Sequence, residues 1–224
     1  MRISRAVRAI RLPSTRVGRR SVVVGLAVGA FVVPAGASYA LWSATATGTL
    51  AVSTGACAPG SSTVLAASAD AWIDQANPSV NNGSDSALYV ASQSGSRNRR
   101  ALVKFTLPTV PTSCSLSSVI LTLYNQSPGS GRTIDVFRAN AAWVESTVRW
   151  TGAPGTTGTA VGSVTPGSAG LQSWDVTTHA IAQYMGPNNG FILRDRTESA
   201  SSAATQNYRS RDATPSPSLT VNWS

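Results

Sequence analysis

The 224-residue sequence has few of the side chains on which acid–base or nucleophilic catalysis depends. It contains one histidine, His179, and nine acidic residues. Such mechanisms place a base within hydrogen-bonding reach of a nucleophile or of the substrate. The acids Glu145, Asp175 and Asp195 have no spacing that indicates a glycosidase pair. We therefore expect no catalysis, and we expect His179 to be a solvent-exposed residue of a short helix.

The N-terminal region has no hydrophobic run of the length that a membrane span needs. The apolar run from Val22 to Val33 is too short to cross about 30 Å of hydrocarbon comfortably. It follows an arginine-rich segment and precedes Pro34 and several small residues, which is the order of a secretory signal peptide. We predict that residues 1–40 are a signal peptide, cleaved after Ala37 or Ala40, and that the mature protein is secreted or associated with the cell surface. A permanent anchor is the alternative, and the sequence does not distinguish the general secretory route from the twin-arginine route.

Acidic residues are too few to balance the basic ones, and the formal net charge is +9. Seven of the 18 basic residues are arginines within residues 1–20, where no acidic residue occurs. Without these arginines, 11 basic residues remain against 9 acidic ones. That remainder creates no strong overall field, and it contains no basic helix or aromatic RNA-binding motif. We expect no nucleic-acid partner.

Cysteine is scarce as well. The two cysteines, Cys57 and Cys114, lie too far apart in sequence for a CxxC redox or zinc pair. Export makes a disulfide between them plausible, and a bridge closing a loop of this length contributes about 4 kcal/mol in the chain-entropy model. Two unpaired thiols remain the alternative at this point.

What the sequence does contain is a series of short β-type patterns, of which the stretch Arg99–Pro108 is the clearest. Its residues alternate with the period of two that is typical of a half-buried strand. One face is apolar and the other carries cations; the two sets are Ala101, Val103, Phe105 and Leu107, and Arg100, Leu102, Lys104 and Thr106. Pro108 cannot donate to a strand ladder, so we predict that pairing stops there.

The remaining patterns predict about nine or ten short strands separated by Gly, Pro and Asn turns. One helix is predicted from Thr177 or Thr178 through Tyr184, and the dense segment Trp143–Trp150 is predicted to bend and plug one end of the core. Residues 41–62 are rich in Ala, Thr, Gly and Ser, which indicates a flexible N-terminal arm, so we place the domain at 63–224. The predicted fold class is all-β, an antiparallel β-sandwich with one short helix. The predicted strands are 64–73, 87–92, 99–108, 119–124, 133–138, an edge strand at 160–164, one ending at 174–177, 191–193, 206–211 and 218–223.

Several blocks in this region, taken together, resemble the DNRLRE domain. They are Asp70–Asp74, Asn81–Ser84, Leu88–Val90, Arg100–Phe105, Trp143–Trp150, Asp175–Thr177, Asn189–Asp195 and Tyr208–Asp212. The resemblance extends over Thr63–Ser224. It implies a secreted bacterial β-sandwich of jelly-roll type, similar to carbohydrate-binding modules, some of which attach to acidic polysaccharides such as alginate, and it implies no catalysis. The stretch Asn82–Asp85 departs from the pattern, because it lacks lysines that polysaccharide-binding members can carry.

The basic residues of the domain are the candidate binding site. Planar guanidinium groups and tyrosine rings can form a shallow platform for a sugar chain, with arginine forking to carboxylate or hydroxyl oxygens. The alternative is that these arginines only form structural cross-strand pairs with nearby acids. The candidate glycan-binding residues are Tyr89, Arg97, Arg99, Arg100, Lys104, Arg194, Tyr208, Arg209 and Arg211.

Oxygen-bearing residues near the start of the domain are the candidate metal ligands. Asp70, Asp74 and Asp85, together with Asn77 and Asn82, could supply oxygens to a structural calcium ion. Turn formation and solvation are the alternative explanation for such a cluster. We expect no other cofactor.

The sequence leaves two functions to compare. One is a non-catalytic glycan-binding module whose partner is a polysaccharide, and the other is a structural or adhesive subunit that associates with itself at the cell surface or in a matrix. Neither the sugar nor the oligomeric state can be derived from the residues.

Overall fold

The structure is a computed structural model that describes Cys57, residues 60–129 and residues 131–224. The predicted signal peptide and most of the predicted arm lie outside the described residues. Those residues form eleven strands and one helix. Their bounds are Ser62–Ala66 (β1), Ala69–Asp74 (β2), Ala87–Ser92 (β3), Arg99–Lys104 (β4), Leu116–Ser127 (β5), Ile134–Ala139 (β6), Thr156–Val164 (β7), Gly170–Asp175 (β8), Thr177–Tyr184 (α1), Phe191–Asp195 (β9), Ala204–Arg209 (β10) and Ser218–Trp223 (β11).

All the strand pairs are antiparallel, and they belong to one sheet that curls back on itself. The strand order is β1-β11-β5-β10-β3-β4-β9-β6-β7, with β2 also paired to β4 and β8 also paired to β5. The strands β3 and β4 meet through a single register pair, Ala91 with Arg99. We call β1, β3, β5, β8, β10 and β11 layer A, and β2, β4, β6, β7 and β9 layer B. The expected antiparallel β-sandwich with one short helix is confirmed for the described residues.

The main core lies between the two layers. Layer A contributes Leu88, Leu121 and Trp174, and layer B contributes Val103 and Leu193, all of them fully buried. The predicted apolar face of β4 therefore does face the core. Such burial supplies most of the favourable free energy of folding, at roughly 25 cal/mol per Å² of apolar surface removed from water.

Pairing of β4 ends at Lys104, four residues before the proline that was expected to end it. The Lys104 carbonyl still accepts the Ser68 N–H at 2.8 Å. The next carbonyl, that of Phe105, instead accepts the Asn188 side-chain amide at 2.8 Å. A side chain from the loop after α1 thus replaces a neighbouring strand as the partner.

A second apolar cluster covers the other face of β4. Leu102 and Ile192 are fully buried there beneath Trp143 and Val148, and Trp150 packs against the same cluster. The prediction that the segment Trp143–Trp150 plugs one end of the main core is therefore wrong. The segment lies on the outer face of layer B, because Leu102 and Ile192 give that face an apolar surface of its own.

The predicted strand 64–73 is divided into β1 and β2. The N–H of Ala67 donates to Pro217 at 3.2 Å, whereas the N–H of Ser68 donates to Lys104 at 2.8 Å. Consecutive amides thus bond to different layers. The chain passes from layer A to layer B at this point.

The helix α1 has the predicted position, but His179 is not solvent-exposed. The residue is only 3 % exposed, beside the fully buried Ala180. Burial, together with the positive charge of Arg138, lowers the pKa of His179 to about 4. The helix packs on β5 and buries the side that contains His179. The local sequence pattern does not show which side of the helix is buried and which is exposed to solvent.

The expected disulfide is present. Cys57 and Cys114 are bonded across a sequence separation of 57 residues, and both pack against the main core. The bridge ties the chain ahead of β1 to the loop before β5. Within the described part of the chain, no helix has the length and apolar character needed to cross a membrane.

Candidate functional site

Arg100 and Lys104 lie on the outer face of layer B, and both are occupied by contacts within the protein. The Arg100 guanidinium donates to both carboxylate oxygens of Glu198, at 2.7 and 2.8 Å. The Lys104 ammonium donates to the Trp143 carbonyl at 3.0 Å and lies 4.7 Å from the centroid of the Trp143 ring. Burial lowers the pKa of Lys104. These contacts favour the structural interpretation of the two cations.

Arg194 belongs to the same surface. Its guanidinium carbon lies 4.3 Å from the centroid of the Phe137 ring, and its Nε is buried without a hydrogen-bond partner in the described structure. The register of β4 and β9, in which Leu102 pairs with Ile192, places Arg194 beside Arg100. Three of the nine predicted residues, Arg100, Lys104 and Arg194, therefore lie on the outer face of layer B. The charged group of each one contacts an aromatic ring or an acidic residue of the protein itself.

Arg211 and Asp70 form a structural link at the end of β10. The Arg211 Nε donates to Glu145 at 2.8 Å, and its backbone N–H donates to the Asp70 carboxylate at 2.7 Å. Asp70 is 1 % exposed, and one of its oxygens has no partner in the described structure. Burial, reinforced by the negative charges of Glu145 and Asp212, raises the pKa of Asp70 to about 7.

The structure does not bring the predicted carboxylate ligands Asp70, Asp74 and Asp85 together as a metal site. The Asp74 carboxylate accepts the Ala76 N–H and the Asn77 side-chain amide, both at 2.9 Å, as in a turn. The Asp85 carboxylate accepts the Trp72 indole N–H at 2.8 Å. Among the residues that the structure describes, no group of three or more His, Cys, Asp or Glu side chains could hold a metal ion.

Tyr208 does not lie on any exposed surface, so its predicted role in a sugar platform is wrong. The residue is 0 % exposed, and its hydroxyl donates to Gln172 at 3.1 Å. Its ring packs edge-on against Trp174 with the centroids 5.9 Å apart. Tyr208 alternates with Asn207 along β10, and it is Asn207 that faces outward.

The outer face of layer A carries a different group, which we call the tyrosine face. It consists of Tyr89 on β3, Asn207 and Arg209 on β10, and Tyr124 and Gln126 on β5. Tyr89 is directly opposite Asn207 in the strand register, and the Gln126 amide donates to the Asn207 side chain at 3.0 Å. The Arg209 guanidinium carbon lies 4.4 Å from the centroid of the Tyr124 ring. The Tyr124 ring, two amides and a guanidinium thus share one strand surface, and the Tyr89 ring at its border packs edge-on against Trp72 with the centroids 5.0 Å apart.

The tyrosine face also carries a positive charge that no acidic residue of the described structure neutralises through an ion pair. The Arg209 guanidinium donates to the Thr214 carbonyl, but it forms no ion pair among the described residues. Arg99 lies at the edge of the tyrosine face, where its guanidinium carbon is 5.7 Å from the centroid of the Tyr89 ring. The guanidinium also forms an ion pair with the Asp74 carboxylate at 3.5 Å. An unpaired guanidinium over a ring is suited to bind sugar hydroxyls or carboxylates.

Residues 61–223 of the chain match carbohydrate-binding module family 96. The chain belongs to this family. The expected relationship to carbohydrate-binding modules is therefore confirmed. No curated protein matches the chain.

This family 96 module does not bring the predicted site residues together, because they lie on two surfaces, in one loop and, for Tyr208, in the core. Tyr89, Arg99 and Arg209 belong to or border the tyrosine face, and Arg97 is exposed in the loop between β3 and β4, without a hydrogen bond or ion pair in the described structure. Sequence reasoning missed Tyr124, Gln126 and Asn207 as site residues. The sequence did contain a signal for Tyr124. This residue alternates with Leu121 and Leu123, which places its ring on the face of the strand opposite to the core.

Proposed function

We propose that this family 96 member is a secreted, non-catalytic module that binds an acidic polysaccharide across the tyrosine face. The observation that carries the proposal is the Arg209 guanidinium, which lies over Tyr124 without an acidic partner in the described structure. A charge-assisted hydrogen bond from such a group contributes about 1.5 to 3 kcal/mol. The DNRLRE-like blocks support a glycan as the ligand, but not an acidic one in particular, because Asn82–Asp85 lacks the lysines that polysaccharide-binding members can carry.

A surface that extends over three paired strands suits a polymer. The side chains of Tyr89, Asn207 and Gln126 are held on paired strands, so they lose little conformational freedom when a ligand binds. Tyrosine rings offer apolar contact to the C–H faces of a sugar, and the two amides offer donors and acceptors to its hydroxyls.

The position of His179 supports a non-catalytic role. The residue is buried beneath α1 at 3 % exposure, so it cannot reach a polymer bound on the surface. The disulfide between Cys57 and Cys114 supports an oxidising, extracellular location.

A structural or adhesive subunit is the second candidate. Val64 on the edge strand β1 and Leu171 on β8 are each 66 % exposed. Exposed apolar residues on an edge strand favour pairing between copies of a chain. Self-association would therefore use layer A as well.

A glycan array combined with sedimentation tests both candidates. We expect the protein to bind acidic polysaccharides on the array and to sediment as a monomer. Failure to bind any glycan, combined with reversible assembly into oligomers, would favour the structural subunit instead.

A further inference from the structure

Leu171 extends the surface of the tyrosine face onto the edge strand β8. In the strand register Leu171 lies directly opposite Tyr124 of β5. Gln172 and Trp174 of β8 are buried, so the alternation of the strand directs Leu171 and Ser173 outward. Leu171 is 66 % exposed, and it is therefore open to a ligand that lies on this face.

Tyr124 lies between Leu171 and Arg209. The strand β5 is flanked by β10 on one side and by β8 on the other, because Asn125 pairs with a residue of each. The Arg209 guanidinium carbon, which comes from β10, is 4.4 Å from the centroid of the Tyr124 ring. A cation, an aromatic ring and an apolar side chain thus form a row across two strand spacings, or about 10 Å.

Leucine is unusual at this position on β8. Edge strands commonly carry polar or charged side chains, which discourage pairing with other chains. The other outward residues of β8, Ser173 and Asp175, are polar and exposed. Isolated exposed apolar residues are common on protein surfaces, but Leu171 adjoins an aromatic ring that already contacts a guanidinium. Its position indicates an apolar contact with the ligand of the tyrosine face.

The row matches the substituents of an acylated acidic sugar. In a hexuronic acid the carboxylate is attached to C5, and C2 and C3 lie on the opposite side of the ring. A sugar whose carboxylate binds the Arg209 guanidinium, and whose ring lies across Tyr124, therefore directs O2 or O3 toward Leu171. A free hydroxyl at that point would lose hydrogen bonds to water without gaining a partner from leucine. The methyl group of an acetyl ester would instead gain apolar contact.

We propose that the tyrosine face selects an acidic polysaccharide whose sugars carry acyl esters at O2 or O3, and that Leu171 contacts the acyl group. The proposal rests on the proposed polysaccharide-binding function and names a narrower class of ligand for the same site. Arg209 recognises the acidic group of the sugar, and Leu171 recognises the ester on the other side of the ring.

Matched pairs of polymers test the proposal directly. Polygalacturonate and polymannuronate are each compared with the same polymer after chemical O-acetylation, by calorimetry on the wild-type protein. We expect the acetylated form of at least one polymer to bind about fourfold more tightly, which is the gain from burying one methyl-sized apolar group. Equal or weaker binding of both acetylated forms, including no binding of any form, would overturn the proposal.

A substitution at Leu171 assigns the preference to this residue. Leu171→Ser changes an exposed side chain and leaves the core intact, and it should reduce the preference for the acetylated polymer to less than about 1.5-fold. Val64→Ser is the matched control, because Val64 is also 66 % exposed on an edge strand of layer A but lies outside the tyrosine face. This control should keep the full preference. A preference that survives in Leu171→Ser, or that both variants lose equally, would contradict the assignment.

Sedimentation separates ligand contact from association between copies of the chain. We expect the wild type and Leu171→Ser both to sediment as monomers. A wild-type dimer that becomes a monomer in Leu171→Ser would show that another copy covers Leu171, and the proposal would be wrong.

The proposed function and the acyl preference fail in different ways. If Arg209→Ala loses polysaccharide binding but acetylation changes nothing, the tyrosine face binds acidic sugars and only the acyl contact is wrong. If acetylation strengthens binding through Leu171 but Arg209→Ala binds as tightly as the wild type, the acyl contact stands and the role of Arg209 in binding an acidic sugar is wrong.

Discussion

The guanidinium carbon of Arg100 lies 4.8 Å from the centroid of the Trp150 ring, on the face of β4 that points away from the main core. The same guanidinium forks to Glu198. One side chain therefore joins β4 to the segment that covers layer B and to the chain that follows β9. This arrangement indicates that Arg100 stabilises the fold.

Arg100→Ala is expected to lower the free energy of unfolding by about 2 kcal/mol, because it removes a bidentate pair and leaves Glu198 partly buried without a partner. Chemical denaturation measures the change. Arg97→Ala is the matched control, since Arg97 is exposed and unpaired in the described structure, and it should change stability by less than about 0.5 kcal/mol. Wild-type stability in Arg100→Ala, together with weaker polysaccharide binding, would show that Arg100 is a ligand contact.

The pKa values of Asp70 and His179 predict opposing effects on stability. Burial raises the pKa of Asp70 to about 7 from 3.8, so the folded protein keeps a proton that the unfolded chain releases, and stability falls as the pH rises between those values. Burial lowers the pKa of His179 to about 4 from 6.5, so the unfolded chain takes up a proton that the folded protein does not. Stability due to His179 is therefore lost as the pH falls from 6.5 to 4.

Single substitutions should separate these two effects. In Asp70→Asn the free energy of unfolding should rise from pH 4 to 6.5 more steeply than in the wild type, and in His179→Leu it should fall from pH 4 to 7. Each change is at most about 3 to 4 kcal/mol, at about 1.36 kcal/mol per pKa unit. Arg97→Ala, at an exposed residue without a partner in the described structure, is the control. Parallel pH profiles for the wild type and both variants would contradict the assignment.

Export followed by cleavage predicts a shortened N-terminus. Mass spectrometry of the secreted protein should find it at Ser38 or Leu41, because cleavage is expected after Ala37 or Ala40. Protein that remains in the cell fraction with an intact Met1 would contradict export.

The sequence predicts the strands better than it predicts what covers them. The alternation in β4 correctly assigns Val103 to the main core, but it cannot show that Trp143 and Trp150 cover the opposite face. That contact joins residues about 40 positions apart, as the bond from Lys104 to Trp143 illustrates. Local periodicity contains no information on such pairings.

The orientation of β10 could not be predicted for a related reason. Its buried face contains Gln206 as well as Tyr208, so neither face is plainly apolar. The Gln206 side chain is satisfied by Asn125 at 2.8 Å and by Gly129 at 2.6 Å, both distant in sequence. Because Gln206 is polar, the face of β10 that packs in the core has the sequence pattern of a face exposed to solvent. The assignment of Tyr208 to the binding surface fails for this reason.

The central claim is that an acidic polysaccharide binds to the tyrosine face. The most direct test is the dissociation constant of the polysaccharide complex, measured for two matched variants of the protein. Arg209→Ala and Arg194→Ala each remove one arginine that lies over an aromatic ring without an ion pair in the described structure, one on layer A and one on layer B. For the best acidic polysaccharide on the array, measured by calorimetry, Arg209→Ala should weaken binding at least about tenfold, or about 1.4 kcal/mol. Arg194→Ala should stay within about threefold of the wild type, with circular dichroism unchanged in both variants. Wild-type affinity in Arg209→Ala, or an equal loss in the two variants, would contradict the account.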